Sequence, residues 1–395
     1  MDNALIENFQ KRYDNLNSEQ RLAVDTTDGP VLVVAGPGSG KTELLALRTA
    51  NIIREGLARP EYILCLTFTE SAATNMQERL IKIMGREAYK VPIFTFHSFC
   101  THIIGKYPEH FFDAHRFEPI AELKQNEILN GVFEKLTHGQ PLYGYHDERG
   151  FTYIGDTKER IKNFKEAGLS PSGLREILNQ NKEDLKVTSE ILSKHLPAKM
   201  SREAASPLIN ALANSGTELG QMYANKMEAL LESKQGARIK TDLLRKDENG
   251  KDIFKEQKYI GKFDAFVDIY EQYQSELWRQ GYFDFNDMIL YVRDRLIDNT
   301  ELRAEIEETY QYILVDEFQD TNAAQLSLIK SITSNEVLEG RANVFVVGDD
   351  DQSIYKFQGA ELSNIFNFKK MYTDVKTIVL TDNYRSTQKV LDFSK

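Results

Sequence analysis

Gly36-Pro37-Gly38-Ser39-Gly40-Lys41-Thr42 is the stretch of this chain best suited to hold a phosphate group. Glycines at 36, 38 and 40 let the backbone approach an anion closely, so that successive N–H groups and the start of a following helix point at it. Lys41 then reaches the β- and γ-phosphates of a nucleoside triphosphate, and the Thr42 hydroxyl is a ligand for Mg²⁺. The strict pattern G-x-x-x-x-G-K-[ST] wants glycine at position 35, where this chain has Ala35. Far downstream, Asp316-Glu317 follow the apolar run Tyr312 to Val315. Asp316 is placed to hold Mg²⁺ and Glu317 to take a proton from an attacking water, a division of labour that suits phosphoryl transfer. An acidic pair after a strand is by itself commonly a solvated turn, and its weight here comes from the phosphate loop.

Three further segments carry polar groups at the ends of apolar runs. Val344 to Gly348 leads into Asp349-Asp350-Asp351-Gln352-Ser353-Ile354-Tyr355, an amide-bearing tip suited to sensing a γ-phosphate. Thr381 to Thr387 offers Tyr384 and Arg385 at the end of another strand. Upstream, Leu16-Asn17-Ser18-Glu19-Gln20 presents the Gln20 carboxamide, which has the geometry for bidentate pairing with adenine.

The elements that must position these residues follow from periodicity. Strand-like Val31 to Ala35, a helix after Thr42, strand-like Tyr62 to Thr67, a helix through Ala72 to Met84 and strand-like Val91 to Phe96 make a βαβαβ rhythm. That rhythm implies a parallel sheet with right-handed crossovers. From about Gly105 to Gly281 long polar stretches with helical periodicity take over, among them Lys124 to Leu136, Thr157 to Ala167 and Ser206 to Ser233. Within them, Asn249-Gly250 lies between short mixed segments that read equally as a hairpin or as a charged loop. Strand character returns at Tyr312 to Val315, Val344 to Val347 and Thr377 to Leu380. The expected organisation is a discontinuous α/β domain, 1–104 with 282–395, interrupted by a mostly helical insertion, 105–281.

Composition sets bounds on partners and compartment. With 395 residues, 41% of them hydrophobic, the chain is long enough for two or three domains with a sizeable core. A formal net charge of −11 argues against a broadly basic coat, so any nucleic acid must bind in a local groove. Cys65 and Cys100 have neither paired spacing nor a histidine cluster nearby, which points to reduced thiols in a cytoplasmic protein. The start, Met-Asp-Asn-Ala-Leu-Ile-Glu-Asn, lacks the basic and apolar regions of a signal peptide, and no apolar run approaches the roughly 18 residues that span a membrane.

Taken in order, the motifs AGPGSGKT, LTFTESAA, FTFHSF, LVDEFQDTN, VVGDDDQSIYKFQGA and NYRST, with Gln20 ahead of them, resemble the N-terminal portion of the UvrD/Rep/PcrA-type superfamily 1 DNA helicases. The likeness covers both flanks of the chain and is weak in the insertion; the alanine at position 35 is usual in that family. It implies a RecA-like P-loop NTPase fold, ATP and Mg²⁺ as cofactors, and an ATP-dependent, DNA-stimulated 3′→5′ translocase serving DNA repair or recombination. It implies adenine recognition by Gln20 with Tyr384 stacked on the base, phosphate binding by Gly36, Gly38, Ser39, Gly40, Lys41 and Thr42, and γ-phosphate contacts from Gln352 and Arg385. Thr67, Phe68, Thr69 and His97 would line the path of single-stranded DNA, and Tyr355 and Phe357 would couple ATP to DNA. The family more often has tryptophan and arginine where this chain has Phe357 and Gln358; a smaller ring still stacks, but the charge is lost. Residues 390–395 read as the middle of a helix with no stop signal, as in a truncated chain, and the resemblance implies that a second RecA-like domain follows. The alternatives are the helicase part of an AddA/RecB-like helicase-nuclease and an ATP-binding interaction module without a motor cycle. A small-molecule kinase lacks the Gln20 and GDDDQ segments, and a GTPase would carry an N-K-x-D motif.

Overall fold

The computed structural model describes residues 3–111, 118–148, 150–334, 342–349 and 364–384. Its centre is a six-stranded sheet of β1 (Val31–Ala35), β2 (Ile63–Thr67), β3 (Ile93–Thr95), β4 (Tyr312–Val315), β5 (Val344–Gly348) and β6 (Lys376–Leu380). The order is β6-β1-β5-β4-β2-β3, and every pairing is parallel. The expected parallel sheet flanked by helices is therefore present. Parallel strands covered on both faces need apolar residues at every position, and β2, β4 and β5 are buried throughout.

Side chains alternate across a strand, so each strand feeds two cores. Val31, Val33 and Ala35 of β1 pack with Leu44, Leu47, Cys65, Leu314 and Val347 on one face. Leu32, Leu64, Leu66, Val315 and Val346 pack with Phe96, Phe99, Ile289 and Phe318 on the other. Helix Lys41–Arg54 follows β1, helix Glu70–Met84 follows β2 and helix Phe96–Lys106 follows β3. Several helices start on capping boxes: Asn17 with Gln20, Thr95 with Ser98, Asp284 with Asp287 and Asn322 with Gln325. Each box satisfies N–H groups that the first turn of a helix leaves free.

By internal contacts the chain forms two compact units, residues 1–120 with 162–168 and 281–395, and residues 121–161 with 169–280. In the first, Glu118–Pro119 pairs with Tyr282–Phe283, so the two ends of the interruption lie side by side. The second is built on helices Pro171–His195, Arg202–Ala213, Glu218–Glu232 and Gln257–Arg279. Its core gathers Leu185, Leu208, Leu212, Met227 and the Tyr223–Phe254 pair, whose rings stack at 3.7 Å. The helical stretch Ser206 to Ser233 is broken in two: Gly216 takes φ +73° and Thr217 caps the next helix. Asn249-Gly250 forms the turn of an antiparallel hairpin, Leu244–Lys246 with Asp252–Phe254. Asp247 Oδ1 closes it by accepting from the Asn249 and Lys251 N–H groups. No described helix is long and apolar enough to cross a membrane.

Candidate nucleotide site

Because all six strands run the same way, their carboxyl ends share one edge of the sheet, where α/β proteins bind ligands. Gly36–Gly40 follows β1, Thr67 to Thr69 closes β2, Asp316 and Glu317 follow β4, Asp349 follows β5 and Tyr384 lies beyond β6. Gly38 and Gly40 have φ of +74° and +86°, left-handed conformations that carry a steric penalty for any side chain. Gly40 directly precedes helix Lys41–Arg54, so the turn aims that helix's free N–H groups at the loop. The Ser39 hydroxyl donates to the Gly36 carbonyl at 2.8 Å and closes the loop on itself.

Lys41 and Thr42 meet the acidic pair across 274 residues of chain. Thr42 Oγ1 donates to Asp316 Oδ2 at 3.3 Å. Lys41 Nζ donates to the Ala35 carbonyl at 3.2 Å and lies 4.0 Å from Glu317 Oε2 and 3.7 Å from Asp349 Oδ2. Burial, and then repulsion from Glu317, push the Asp316 carboxyl up to about 6, although the Glu317 N–H, Thr42 and Lys41 pull it down. A buried carboxylate left so short of positive charge, beside a hydroxyl oxygen, is a donor set that fits a hard cation such as Mg²⁺. Glu317 itself sits at φ +47°, ψ +47°, a left-handed conformation rare for a residue with a side chain. Gln319 Nε2 donates to Glu317 Oε2 at 2.9 Å and to Asp320 Oδ2 at 3.3 Å. Gln319 Oε1 accepts from the Asp349 N–H at 2.9 Å.

Gln20 and Tyr384 come together at the other end of the loop. Gln20 Nε2 donates to the Ser39 carbonyl at 2.9 Å, and its Oε1 accepts from the Asn17 N–H at 3.1 Å. Each end of that amide retains one further hydrogen-bonding position. The Tyr384 N–H donates to the Gly38 carbonyl at 2.9 Å. Its hydroxyl accepts from Asn17 Nδ2 and donates to Asp382, and its ring is exposed. Asn17 thus ties an exposed aromatic ring to a buried carboxamide.

Of the residues expected along nucleic acid, the two threonines serve the local backbone. Thr67 Oγ1 donates to the Thr69 carbonyl, and Thr69 Oγ1 caps helix Glu70–Met84 by accepting from the Ala72 N–H at 3.1 Å. Phe68 and His97 line one cavity of about 220 Å³, together with Phe96, Glu166, Asn286, Asp320, Asn322 and Gln325. The His97 ring meets Phe285 edge-on at 5.3 Å, and burial lowers its pKa despite Asp284 and Glu70. Gln352, Tyr355, Phe357 and Arg385 lie outside the described residues.

Gln319, Asp320 and Asp349 are site neighbours not singled out in the sequence, although each stands within three residues of one that was or ends the strand beside it. Lys165 had no such signal. It is completely buried between Asp284 and Asp287, at 2.6 and 2.7 Å.

A family model described as the UvrD/REP helicase N-terminal domain matches residues 16–373. The chain is similar to the DNA helicase II of Rickettsia typhi, with 31% identity over 382 residues, covering 97% of this chain and 44% of that protein. It is similar to the ATP-dependent DNA helicase PcrA of Staphylococcus aureus, with 31% identity over 379 residues, covering 96% of this chain and 39% of that protein. The PcrA of Staphylococcus epidermidis matches at the same identity over 378 residues. The chain thus spans about two fifths of the length of these curated relatives.

Proposed function

Since the chain belongs to the family of the UvrD/REP helicase N-terminal domain, we propose that it is the ATP-binding half of an ATP-dependent DNA translocase and helicase. The observation that carries this reading is the meeting of Lys41 and Thr42 with Asp316, Glu317 and Asp349 at one sheet edge. The motor domain is built on residues 1–104 with 282–395, joined in its compact unit by 105–120 and 162–168, and the rest of 105–281 is its inserted subdomain. A second RecA-like domain forms the opposite wall of the cleft. The cytoplasm is the compartment in which such a motor works in DNA repair or recombination, moving 3′→5′.

In this reading the loop amides and Lys41 hold the triphosphate. Gln20 pairs with adenine through the positions its internal bonds leave open, and the exposed Tyr384 ring covers the base. Thr42 and Asp316 would hold Mg²⁺, which supplies charge neutralisation at the phosphates. Glu317 takes the proton of the attacking water, and its left-handed backbone with the Gln319 bond keeps the carboxylate beside Lys41. Gln352 and Arg385 touch the γ-phosphate. Phe68 and His97 face single-stranded DNA, with Thr67 and Thr69 shaping the turn that carries Phe68, and Tyr355 with Phe357 couple the two ligands.

Calorimetric titration of the chain with Mg·ATP and Mg·GTP tests the nucleotide part. ATP is expected to bind at least tenfold more tightly, Lys41→Ala to weaken ATP about 10- to 100-fold by removing a charged hydrogen bond of about 1.5–3 kcal/mol, and Gln20→Ala to erase the preference for adenine. Equal curves for ATP and GTP would remove the adenine role from Gln20.

A further inference from the structure

The second compact unit contains a cavity of about 390 Å³ that the nucleotide reading leaves unused. Its volume falls in the range of about 300–1,000 Å³ typical of small-molecule sites. Three stretches of chain line it: Leu142 in a loop, residues 153–160 around the start of helix Ile154–Glu166, and residues 259–266 near the start of helix Gln257–Arg279. The lining is graded from apolar to charged. Phe266 and Thr157 are buried, Tyr153, Phe263 and Leu142 are half-buried, and Asp156, Arg160, Tyr259 and Lys262 are exposed. Such a profile suits a ligand that buries a flat ring and keeps a charged group near water.

Both cations of the lining are available to a ligand. On the same helix Lys158 pairs with Glu122 and Lys162 with Glu166, whereas Arg160 forms no ion pair among the described residues, not even with Asp156 one turn earlier. Lys262 forms none either, and its Nζ stands 5.6 Å from the centre of the Tyr153 ring. In a chain of net charge −11, this cavity sets two cations against one carboxylate. Thr157 adds a hydroxyl at the buried end. Thr74, Thr101 and Thr188 return their hydroxyls to the carbonyl four residues back, but Thr157, only 2% exposed, makes no such bond. Leu142 lies at φ +68°, a left-handed conformation that costs energy for a bulky side chain and recurs where a fold shapes a ligand site.

We propose that this cavity is a binding site for a small planar aromatic anion. The ring packs among Tyr153, Phe263 and Phe266, and the anionic group meets Arg160 and Lys262. A ring N–H has acceptors in the Thr157 hydroxyl and the Asp156 carboxylate. For Lys262, turning from the Tyr153 face to a carboxylate exchanges a cation–π contact for a stronger charge-assisted hydrogen bond. A nucleic-acid strand spreads its charge over many phosphates and calls for a row of cations, whereas two cations at one cavity suit a single anionic group.

The test titrates the 395-residue chain by calorimetry with three probes that share one ring and differ in charge: indole-3-acetate, indole-3-acetamide and tryptamine. Indole-3-acetate is expected to saturate one site with a Kd of about 1 mM or tighter, the neutral amide to bind about fivefold or more weakly, and the cationic amine weaker still. Arg160→Gln with Lys262→Gln is expected to bring the acetate within twofold of the amide and to leave the amide unchanged. That unchanged amide affinity shows that the variant is folded and the cavity intact. Tyr259→Ala, at an exposed ring, is expected to weaken acetate and amide by the same factor. Equal affinity for the three probes overturns the anion assignment, and absence of saturable binding overturns the site. Saturating Mg·AMP-PNP is expected to leave acetate binding unchanged; its displacement by that nucleotide would move the probe to the sheet edge, and its displacement by oligo(dT) would make the cavity part of a nucleic-acid track, either of which overturns the proposal.

Discussion

Lys165 in the first compact unit is fully buried against Asp284 and Asp287, whereas Arg175 in the second meets Asp264, Asp268 and Glu271 at a solvent-facing surface. Burial alone would lower the Lys165 pKa, but the two carboxylates outweigh it and hold it above the usual lysine value. The same contrast runs through both units. The first keeps Asp316, Gln319, Asp320 and Asp349 buried around a sheet edge, while the second buries one carboxylate, Asp184, which accepts from Gln180 Nε2 and the Leu219 N–H, beside an otherwise mainly apolar core. Taking charge out of water is costly unless partners replace the solvent, so buried charge concentrates where a ligand or a fixed geometry needs it. Charge at a helix surface keeps its water and contributes little.

Three measurements probe that contrast, and the largest effect is expected at Lys165. Lys165→Ala leaves Asp284 and Asp287 facing each other without a cation, and breaking a buried pair in this way costs about 3–5 kcal/mol. Chemical denaturation should show the loss directly; a change below about 1 kcal/mol would make the buried and surface clusters equivalent.

The next effect is a pH dependence at Asp316. Its carboxyl lies at about 6 in the folded chain, against 3.8 for the free side chain, so the folded state holds its proton more tightly than the unfolded state. Stability from this group is complete below about pH 4 and is lost as pH rises through about 6, a change of about 2–3 kcal/mol for a shift of this size. The nucleotide-free chain should therefore lose stability between about pH 4 and 7 relative to Asp316→Asn, as followed by melting temperature across buffers. Parallel profiles for the two proteins would show that Asp316 does not titrate in this range.

The smallest effect is expected in the second unit, where Arg175→Ala should cost about 1 kcal/mol or less and leave Mg·ATP affinity unchanged. A loss as large as that at Lys165 would show that its three carboxylate contacts act as one rigid network.

Local pattern made much of this molecule readable in advance. Val31 to Ala35 and Tyr312 to Val315 coincide with β1 and β4, because unbroken apolar runs bounded by polar loops have few other uses. The glycine loop and the acidic pair were legible because phosphate chemistry needs particular residue types in adjacent positions. Ser206 to Ser233 was legible only as helical; the break at Gly216 depends on one glycine adopting a left-handed turn, which helical periodicity does not reveal.

The kinds of element, their parallel association and the residues proposed to hold a nucleotide were thus legible in short stretches of sequence, since each depends on neighbours within one turn or one strand. The tertiary structure alone decided that Thr42 meets Asp316 and that Gln20 braces Ser39 beside Tyr384. It also decided that Gln319 joins Glu317 to the Asp349 backbone, and that Lys165 is enclosed by two aspartates more than a hundred residues away. These pairings are set by strand order and by which face each helix covers, and a contact between distant residues leaves no periodic trace in either segment.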